Sequence, residues 1–405
     1  MRLLFNISRY VTGIVFTFSG LVKGIDPMGS MYKFTDYFTA FGMNSNDTIS
    51  LILGILLAAT EFIIGFALIT GIRYREAAWG LLLFMSLFTP LTLILALTNP
   101  VSDCGCFGDA IHLTNWQTFF KNLVLMIFVI PAFILRKMIK SYDPISGWVS
   151  AAAAMLLFIL LSLYSYRHLP VIDFRPYRPG VNIEEAMSVP EGAPVDEYET
   201  LLIYEKDGEQ KEFTLENYPS GDDGWEFIDQ KSTLVSKGYR PPITDFILTS
   251  GDGYDLTSFM LGNQGTSLLM ISAGIEKADR EDILKGFEAA ELCISEGIDF
   301  WFITSSSASD IPDEGSSLNH LFGDETMLKT VVRSNPGYMV ISNGTITTKW
   351  AARDLPETGQ IIESVYNSTE NIVYNKNARL GILYGAILIV IIAIRIYTAR
   401  WIVVE

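Results

Sequence analysis

The sequence predicts an α-helical membrane bundle joined to an α/β soluble domain, and three observations support this fold class. Six apolar runs each approach the roughly 20 residues that a membrane-spanning helix needs. Residues 167–376 contain 36 of the 45 acidic residues and 16 of the 29 basic residues, so this segment is strongly acidic. The rest of the chain contains 9 acidic and 13 basic residues and is slightly basic. Within residues 240–376, short apolar runs alternate with a helical pattern, which is typical of an α/β domain.

The six apolar runs define the predicted membrane part. They cover residues 3–22, 50–70, 76–98, 117–135, 147–165 and 380–400. We interpret them as a four-helix domain at 1–140, a fifth span within 141–166, and a sixth span with a cytoplasmic tail at 377–405.

Basic residues near the spans predict the topology, because cytoplasmic loops carry an excess of Lys and Arg. If both termini are cytoplasmic, one side of the membrane receives Arg73, Arg75, Arg136, Lys137, Lys140, Arg395 and Arg400. The other side then receives residues 23–49, the cysteine-containing loop 99–116 and the acidic segment 167–376. We therefore expect these three segments outside the cytoplasm.

The long segment between the fifth and sixth spans divides in two. Residues 167–239 begin with a proline-rich stretch and are interpreted as a linker with an accessory β-hairpin. The hairpin is predicted at Asp207-Gly208, a dipeptide that favours the tight turns of hairpins. Residues 240–376 hold the α/β domain.

The elements of the α/β domain are predicted from its apolar runs. "TSLLMIS" (266–272) and "FWFITSS" (300–306) are predicted to be adjacent central parallel strands, because a helical pattern over 279–296 joins them. Residues 241–260 predict two strands around a turn. The Asn-Gly at 343–344 predicts another hairpin.

Composition excludes two classes of function. The acidic domain is unsuited to nucleic acid, because binding of phosphates needs a basic surface. Three cysteines cannot build a disulfide scaffold, and one redox pair with one leftover is the natural division. We expect no nucleic-acid partner.

Cys104 and Cys106 are separated by one glycine, just after the third span. A disulfide in so small a ring is strained, and strain makes a disulfide easier to reduce. Gly105 and Gly108 supply the backbone freedom of a tight turn. The pattern favours thiol–disulfide exchange, while a structural turn and a metal site with the nearby His112 stay open as alternatives.

Asp103 and Asp109 flank the cysteine pair. Two carboxylates are expected to raise the pKa of the thiols and slow attack by thiolate. This arrangement fits a disulfide that another molecule attacks. Aspartate is equally typical of turns, so a structural role stays open for both residues.

Glu61 is an ionisable residue inside the second span and is a functional candidate for that reason. Two roles are open: proton acceptor in quinone chemistry, or a structural ion pair with Lys23 across the bundle. Lys23 lies at a helix end, where a lysine can snorkel to the interface. Cys293, on the predicted helix 279–296, is interpreted as a small buried hydrophobic residue.

Residues 1–140 resemble the DoxX/MauE class of four-helix membrane proteins. The resemblance rests on "FSGLVKGIDP" (18–27), "EFIIGFALITG" (61–71) and "DCGCFGD" (103–109), the last being close to the Cys-x-Cys-Phe-Gly pattern of MauE-like proteins. It implies a role in handling disulfides or electrons for thioredoxin-like partners in the periplasm. The bundle is also similar to that of vitamin K epoxide reductases, which implies quinone as the candidate cofactor.

Residues 240–366 resemble the membrane-tethered, peroxiredoxin-like branch of the thioredoxin-like fold. "PPITDFILTSGDGYDL" (241–256) matches its opening hairpin, and "SNPGYMVISNGTI" (334–346) matches the segment that implies a cis peptide bond at Pro336. The active Cys-x-x-Cys of that fold is missing, since "AGIEKA" occupies residues 273–278. The whole arrangement resembles DoxX-family fusions of Bacteroidetes envelopes.

These observations favour a thiol–disulfide or electron-transfer protein of the bacterial inner membrane. In this interpretation Cys104 and Cys106 pass electrons from an envelope thiol to a membrane acceptor such as quinone. The alternative is a non-enzymatic scaffold or envelope-complex subunit, whose redox-inactive thioredoxin-like domain binds partner proteins. In both cases the expected partners are membrane lipid and periplasmic or envelope proteins, with residues 167–376 in the periplasm.

Overall fold

A computed structural model describes residues 1–101, 103–139, 144–219, 224–370 and 376–399. Lys140 and Arg400, two of the basic residues used to predict the topology, lie outside the described residues. The chain forms two compact units. The larger comprises Met1–Val181 and Ile247–Glu405, and the smaller is Asn182–Phe246.

Helices occupy all six predicted spans. They are α1 (Arg2–Ile25), α3 (Asp47–Thr70), α4 (Tyr74–Thr98), α5 (Asn115–Ile134), α6 (Pro144–Arg167) and α12 (Lys376–Ala399). The remaining helix of this region, α2 (Pro27–Ala40), lies where a loop was predicted over 23–49. It begins there because the Asp26 carboxylate caps the Gly29 amide and Pro27 occupies the first turn, where a missing N–H costs nothing.

Four helices in the described part of the chain are long and apolar enough to cross a membrane. They are Asp47–Thr70, Tyr74–Thr98, Asn115–Ile134 and Gly147–Arg167. These helices fit a membrane protein. The helices over the first and last predicted spans do not meet the same criteria. Asn6, Ser8 and Arg9 dilute the apolar character of α1, and the apolar part described in α12 is only Leu380–Ala393.

Contacts between helices fix the two ends of the bundle. The Arg9 side chain near the start of α1 donates to the Leu68 carbonyl near the end of α3, so these helices run antiparallel. At the opposite end, the Asn115 amide donates to Asn99 (2.8 Å) and closes the loop between α4 and α5. The cysteine loop therefore lies at the end of the bundle away from the short 71–73 loop and its basic Arg73.

Residues 247–370 form the α/β part of the larger unit. Its strands are β4 (Thr266–Ser272), β5 (Asp299–Thr304), β6 (His320–Phe322), β7 (Gly337–Ser342) and β8 (Thr345–Ala351). They form one sheet in the order β6-β5-β4-β7-β8. Strands β4, β5 and β6 are parallel, and β7 and β8 are antiparallel to their neighbours.

Two predictions about this sheet are confirmed. Strand β4 pairs in parallel with β5, with Leu269 opposite Trp301, and helix α9 (Arg280–Ser295) joins the two strands. The β7–β8 hairpin turns at Asn343 and Gly344, which both have positive φ. Helices α10 (Glu325–Val331) and α11 (Ile361–Glu370) complete this part of the fold.

The prediction of two strands over 241–260 was wrong. A single bridge pairs Thr249 with Asp255, and the short helix α8 (Thr257–Leu261) follows. The Thr257 hydroxyl accepts from the Leu248 amide, so a side chain takes the place of a ladder hydrogen bond there.

The smaller unit contains helix α7 (Ile183–Met187) and a three-stranded antiparallel sheet. Its strands β1 (Glu197–Lys206), β2 (Glu209–Thr214) and β3 (Glu226–Ser236) lie in the order β2-β1-β3. The hairpin predicted at Asp207-Gly208 is confirmed, and both residues have positive φ. Strand β3 was not predicted, because its residues are exposed on both faces and show no apolar alternation.

Candidate functional site

Cys104 and Cys106 lie at the centre of the loop between α4 and α5. Both are free, both are half-buried, and their Sγ atoms are 3.1 Å apart, so one thiol donates a hydrogen bond to the other. Gly105 has φ +66° and Gly108 has φ +50°, a left-handed conformation that glycine adopts without strain. The loop therefore brings the two sulfurs together as a dithiol, where the sequence pattern indicated a strained disulfide.

Two side chains of α2, Lys33 and Tyr37, hold the loop from outside. The Asp103 carboxylate accepts from the Gly105 amide (2.8 Å) and from the Lys33 ammonium (2.9 Å), so it forms both a turn and an ion pair. Tyr37, on α2, donates its hydroxyl proton to the Cys104 carbonyl (3.1 Å). The unexpected helix α2 is therefore a wall of the cysteine site.

The two thiols have opposite pKa shifts. The hydrogen bond from Cys104 lowers the pKa of Cys106 to about 6, and the nearby Lys121 and Lys23 lower it further against the effect of burial. The same hydrogen bond and burial raise the pKa of Cys104. The expectation that flanking carboxylates raise the pKa of both thiols is wrong for Cys106.

Glu61 and Lys23 form a buried ion pair between α3 and α1. The Lys23 ammonium lies 2.7 and 2.8 Å from the two carboxylate oxygens, and both side chains are under 10 % exposed. Lys23 does not snorkel as its position at the helix end suggested, because Glu61 provides a counter-charge inside the bundle. Of the two roles predicted for Glu61, this contact matches the ion pair, and the role of proton acceptor stays a prediction.

Ser19 connects this ion pair to the cysteine loop. Its hydroxyl lies 2.9 Å from a Glu61 carboxylate oxygen and 2.6 Å from the Cys106 carbonyl, and it can donate its proton to either. It also accepts from Lys23 (3.2 Å). Two hydrogen bonds through Ser19 therefore connect the Glu61 carboxylate to the backbone carbonyl of Cys106.

Asp109 is paired with an arginine from the α/β part of the chain. Arg333 donates from Nη2 to Asp109 (2.6 Å) and from Nε to both oxygens of Asp26 (2.9 and 3.2 Å). Its guanidinium also donates to the Lys329 carbonyl, and the residue is 5 % exposed. Burial alone would lower the pKa of Arg333, but the two carboxylates outweigh burial and raise it, so this arginine is a permanent cation.

A cavity of about 320 Å³ opens beside the thiols inside the bundle. Cys104, Cys106, Glu61 and Lys23 line one part of it. The rest of its wall is mostly aromatic or aliphatic, including Phe34, Phe38, Phe84, Phe88 and Leu91. A cavity with an apolar wall and a few convergent polar groups is the usual form of a site for an apolar small molecule.

The other predicted residues lie away from this cavity. Cys293 is fully buried in the core of the α/β sheet, and burial raises the pKa of its thiol to about 11, as expected for an inert cysteine. The Asn335–Pro336 peptide bond is cis, two residues after Arg333. Among the described residues no group of three His, Cys, Asp or Glu side chains could hold a metal ion, and His112 is exposed.

Sequence reasoning missed several residues that complete the site. They are Ser19, Asp26, Lys33, Tyr37, Lys121 and Arg333. One signal existed for Ser19: it stands four residues before Lys23, so both share one face of α1. For Arg333 no local signal existed, because its partners are more than 200 residues away.

Comparison with known protein families gives two matches. Residues 1–135 match the family described as methylamine utilisation protein MauE, and residues 198–237 match a domain of unknown function (DUF8463). No curated protein and no solved structure matches the chain. The N-terminal part of this chain, which holds α1 to α5 and the cysteine loop, is therefore a MauE-like membrane domain.

Proposed function

We propose that this protein is a membrane-embedded electron-transfer protein that works by thiol–disulfide exchange at Cys104 and Cys106. Oxidation of the dithiol forms one S–S bond and releases two electrons and two protons. The acceptor takes up both electrons and both protons, as when a quinone is reduced to a quinol. A thiol donor then reduces the disulfide and is itself oxidised.

The observation that carries the proposal is the 3.1 Å approach of the two sulfurs at the wall of an apolar cavity. A disulfide needs the sulfurs about 2.05 Å apart, so a shift of about 1 Å closes the bond. The lowered pKa of Cys106 provides a thiolate near neutral pH, and thiolate is the species that reacts. The MauE match supports a membrane protein of an electron-transfer system.

A membrane quinone is the proposed acceptor. The cavity beside the thiols provides an aromatic wall for a planar ring, and Glu61 and Lys23, which line the same cavity, would exchange protons with a bound quinone. A buried carboxylate inside a membrane bundle is costly, so a functional use for Glu61 accounts for its presence. Glu61 would accept a proton released by the thiols, and Ser19 would hold it in contact with the loop.

The proposal also includes a placement in the cell. All six long helices cross the bacterial inner membrane, both termini are cytoplasmic, and residues 167–376 are periplasmic. The basic loops support this orientation. The α/β part has a thioredoxin-like fold in this proposal, supported by its mixed sheet and by a cis-proline before β7.

The test is a Cys104→Ser, Cys106→Ser double variant in cells, compared with the single Cys293→Ser variant as a control. The double variant should reach the membrane in normal amounts, because both thiols lie in a loop and neither is needed for the packing of a helix. It should lose function. In the native protein, thiol alkylation should trap a mixture of dithiol and disulfide. A pair that is always reduced, or full complementation by the double variant, would contradict the redox role.

A second function is favoured by one observation on the α/β part. The loop 273–278, where a thioredoxin would carry its cysteines, is held by polar side chains: Asn335 donates to the Gly274 carbonyl and accepts from Ser272. This domain has no redox pair of its own, which fits a non-enzymatic scaffold or envelope-complex subunit. Complementation by the double cysteine variant would support this second function.

A further inference from the structure

The α/β part of the chain is attached directly to the cysteine loop through Arg333. The two carboxylates that this arginine binds come from different segments: Asp26 caps α2, and Asp109 follows the thiol pair by three residues. Arg333 makes charge-assisted hydrogen bonds to both carboxylates, and these directional bonds give the contact one preferred geometry. We call the three residues Asp26, Asp109 and Arg333 the clamp.

A second attachment lies in the arm that follows α6. Asp173 is held by Arg175 at 2.8 Å and by Lys349 of β8 at 3.0 Å, and both cations are buried. Burial alone would raise the pKa of Asp173, but the two cations lower it, so the carboxylate stays charged. His168, at the end of α6, also contacts Asp354 at 2.6 Å. Two separate ion-pair groups therefore attach the α/β part to the bundle.

The surface that faces the bundle is the loop side of the sheet. A cavity of about 270 Å³ is lined by Ala273, Lys277 and Asn335 from this side, and by Met31 and Tyr32 from α2. Lys329 and Arg333 lie 4.9 and 5.2 Å from the centre of the Tyr32 ring. This side of the sheet therefore faces α2 across the cavity.

These contacts, together with two others, hold the backbone on both sides of the two sulfurs. The Cys104 carbonyl is bound by Tyr37 of α2, the Cys106 carbonyl by Ser19 of α1, and Asp109 lies under Arg333. An attacking sulfur must come into bonding contact with one thiol sulfur. The surface of a folded partner would have to displace either α2 or the clamp to achieve this.

We infer that the thiol partner of this site is a low-molecular-weight thiol and not a folded protein, because the clamp keeps the α/β part fixed over the loop. The inference rests on the proposed thiol exchange, but its test measures access to the two sulfurs and not electron transfer. A failure of the redox proposal and a failure of this inference therefore give different results.

The test compares two maleimides of different size on the full-length protein in membranes, in a Cys293→Ala background. N-ethylmaleimide should label the Cys104–Cys106 pair, and a polymer-linked maleimide should label it far more slowly than an exposed reference cysteine at Glu357→Cys. The quantity to compare is the ratio of two labelling rates, that of the polymer-linked maleimide divided by that of N-ethylmaleimide. Arg333→Gln should raise this ratio by about tenfold or more, because without the clamp the α/β part can move away from the loop and expose the thiols.

Arg280→Gln is the matched control, because Arg280 is an exposed arginine of the same domain with one long ion pair to Glu314. It should leave the ratio of rates unchanged. If Arg333→Gln does not accumulate, Asp109→Asn removes one carboxylate and should give a smaller increase. A wild-type ratio equal to that of the reference cysteine would overturn the inference in favour of a folded protein partner. A ratio that stays low in a folded clamp variant would overturn the claim that the clamp restricts access.

Discussion

At the scale of residues, the main feature is the difference between two thiols only two positions apart. The hydrogen bond between the two thiols lowers the pKa of Cys106 and raises that of Cys104, and Lys121 and Lys23 add positive charge near Cys106. The flanking carboxylates do not oppose this effect, since Asp103 is paired with Lys33 and Asp109 with Arg333. The pKa of Cys106 is therefore lower than that of Cys104 in the dithiol state, which favours the thiolate at Cys106.

The first prediction is a pH profile for Cys106. Its alkylation rate should rise with pH through about pH 6 and level off above it, because only the thiolate reacts. Cys104→Ala removes the thiol that hydrogen-bonds to Cys106. The midpoint of the rise in the alkylation rate of Cys106 should therefore move toward the ordinary thiol pKa of about 8.5. Mass spectrometry of the alkylated full-length protein measures both profiles.

A conservative change provides the control for this profile. Cys104→Ser keeps a hydroxyl donor and should retain part of the downward shift in the pKa of Cys106. An inflection near 8.5 in the intact pair would show that Cys106 is an ordinary thiol and contradict the prediction.

At the scale of elements, α1 and α3 are the pair of helices that organises the site. They approach closely at Gly20, where an added Cβ would lie 2.5 Å from the Phe62 backbone nitrogen. This approach places Ser19 and Lys23 of α1 opposite Glu61 of α3. The small residue thus permits the contact that supports the cysteine loop.

The second prediction concerns the ion pair between these helices. Glu61→Gln leaves Lys23 as a buried cation without a counter-charge, and we expect a loss of about 3–5 kcal/mol in the free energy of unfolding. Replacing both residues, as Lys23→Met with Glu61→Leu, should recover much of this loss, because apolar side chains need no partner. Thermal unfolding in detergent measures both variants.

The double variant also separates the two roles of Glu61. A stable double variant whose thiol pair no longer becomes oxidised would assign a role in the redox step to the Lys23–Glu61 pair. A stable double variant with normal oxidation would leave the ion pair with a structural role alone. A Glu61→Gln variant as stable as the native protein would refute the predicted cost.

At the scale of the whole molecule, the larger unit joins the membrane helices and the α/β part in one body. The cysteine loop, α2 and the α/β sheet lie at one end of the bundle, while Arg73 and Arg136 lie at the other. Basic residues at the end away from the cysteine loop are what the proposed cytoplasmic placement of that end predicts, because cytoplasmic loops carry an excess of Lys and Arg.

The third prediction is the orientation in the membrane. In a cysteine-free background, Glu357→Cys should react with an impermeant maleimide in intact spheroplasts, because residues 167–376 are proposed to be periplasmic. Lys137→Cys, exposed near the end of α5, is the matched control and should react only after permeabilisation. The reverse pattern would invert the topology.

The sequence by itself determined the features that depend on neighbouring residues. The helical runs, the β4–α9–β5 unit and the turns at Asp207-Gly208 and 343–344 follow from local periodicity and from the few residues that tolerate positive φ. The approach of Cys104 and Cys106 is local for the same reason, since one glycine separates them.

Only the tertiary structure decided what surrounds the thiol pair. Arg333 and Asp26 are 307 positions apart, and Ser19 and Cys106 are 87 apart, so no periodicity in the chain could indicate their contact. Nor could composition indicate that Asp103 and Asp109 are neutralised and leave the pKa of Cys106 low. A charge acts through the partners that surround it in space, and folding alone selects those partners.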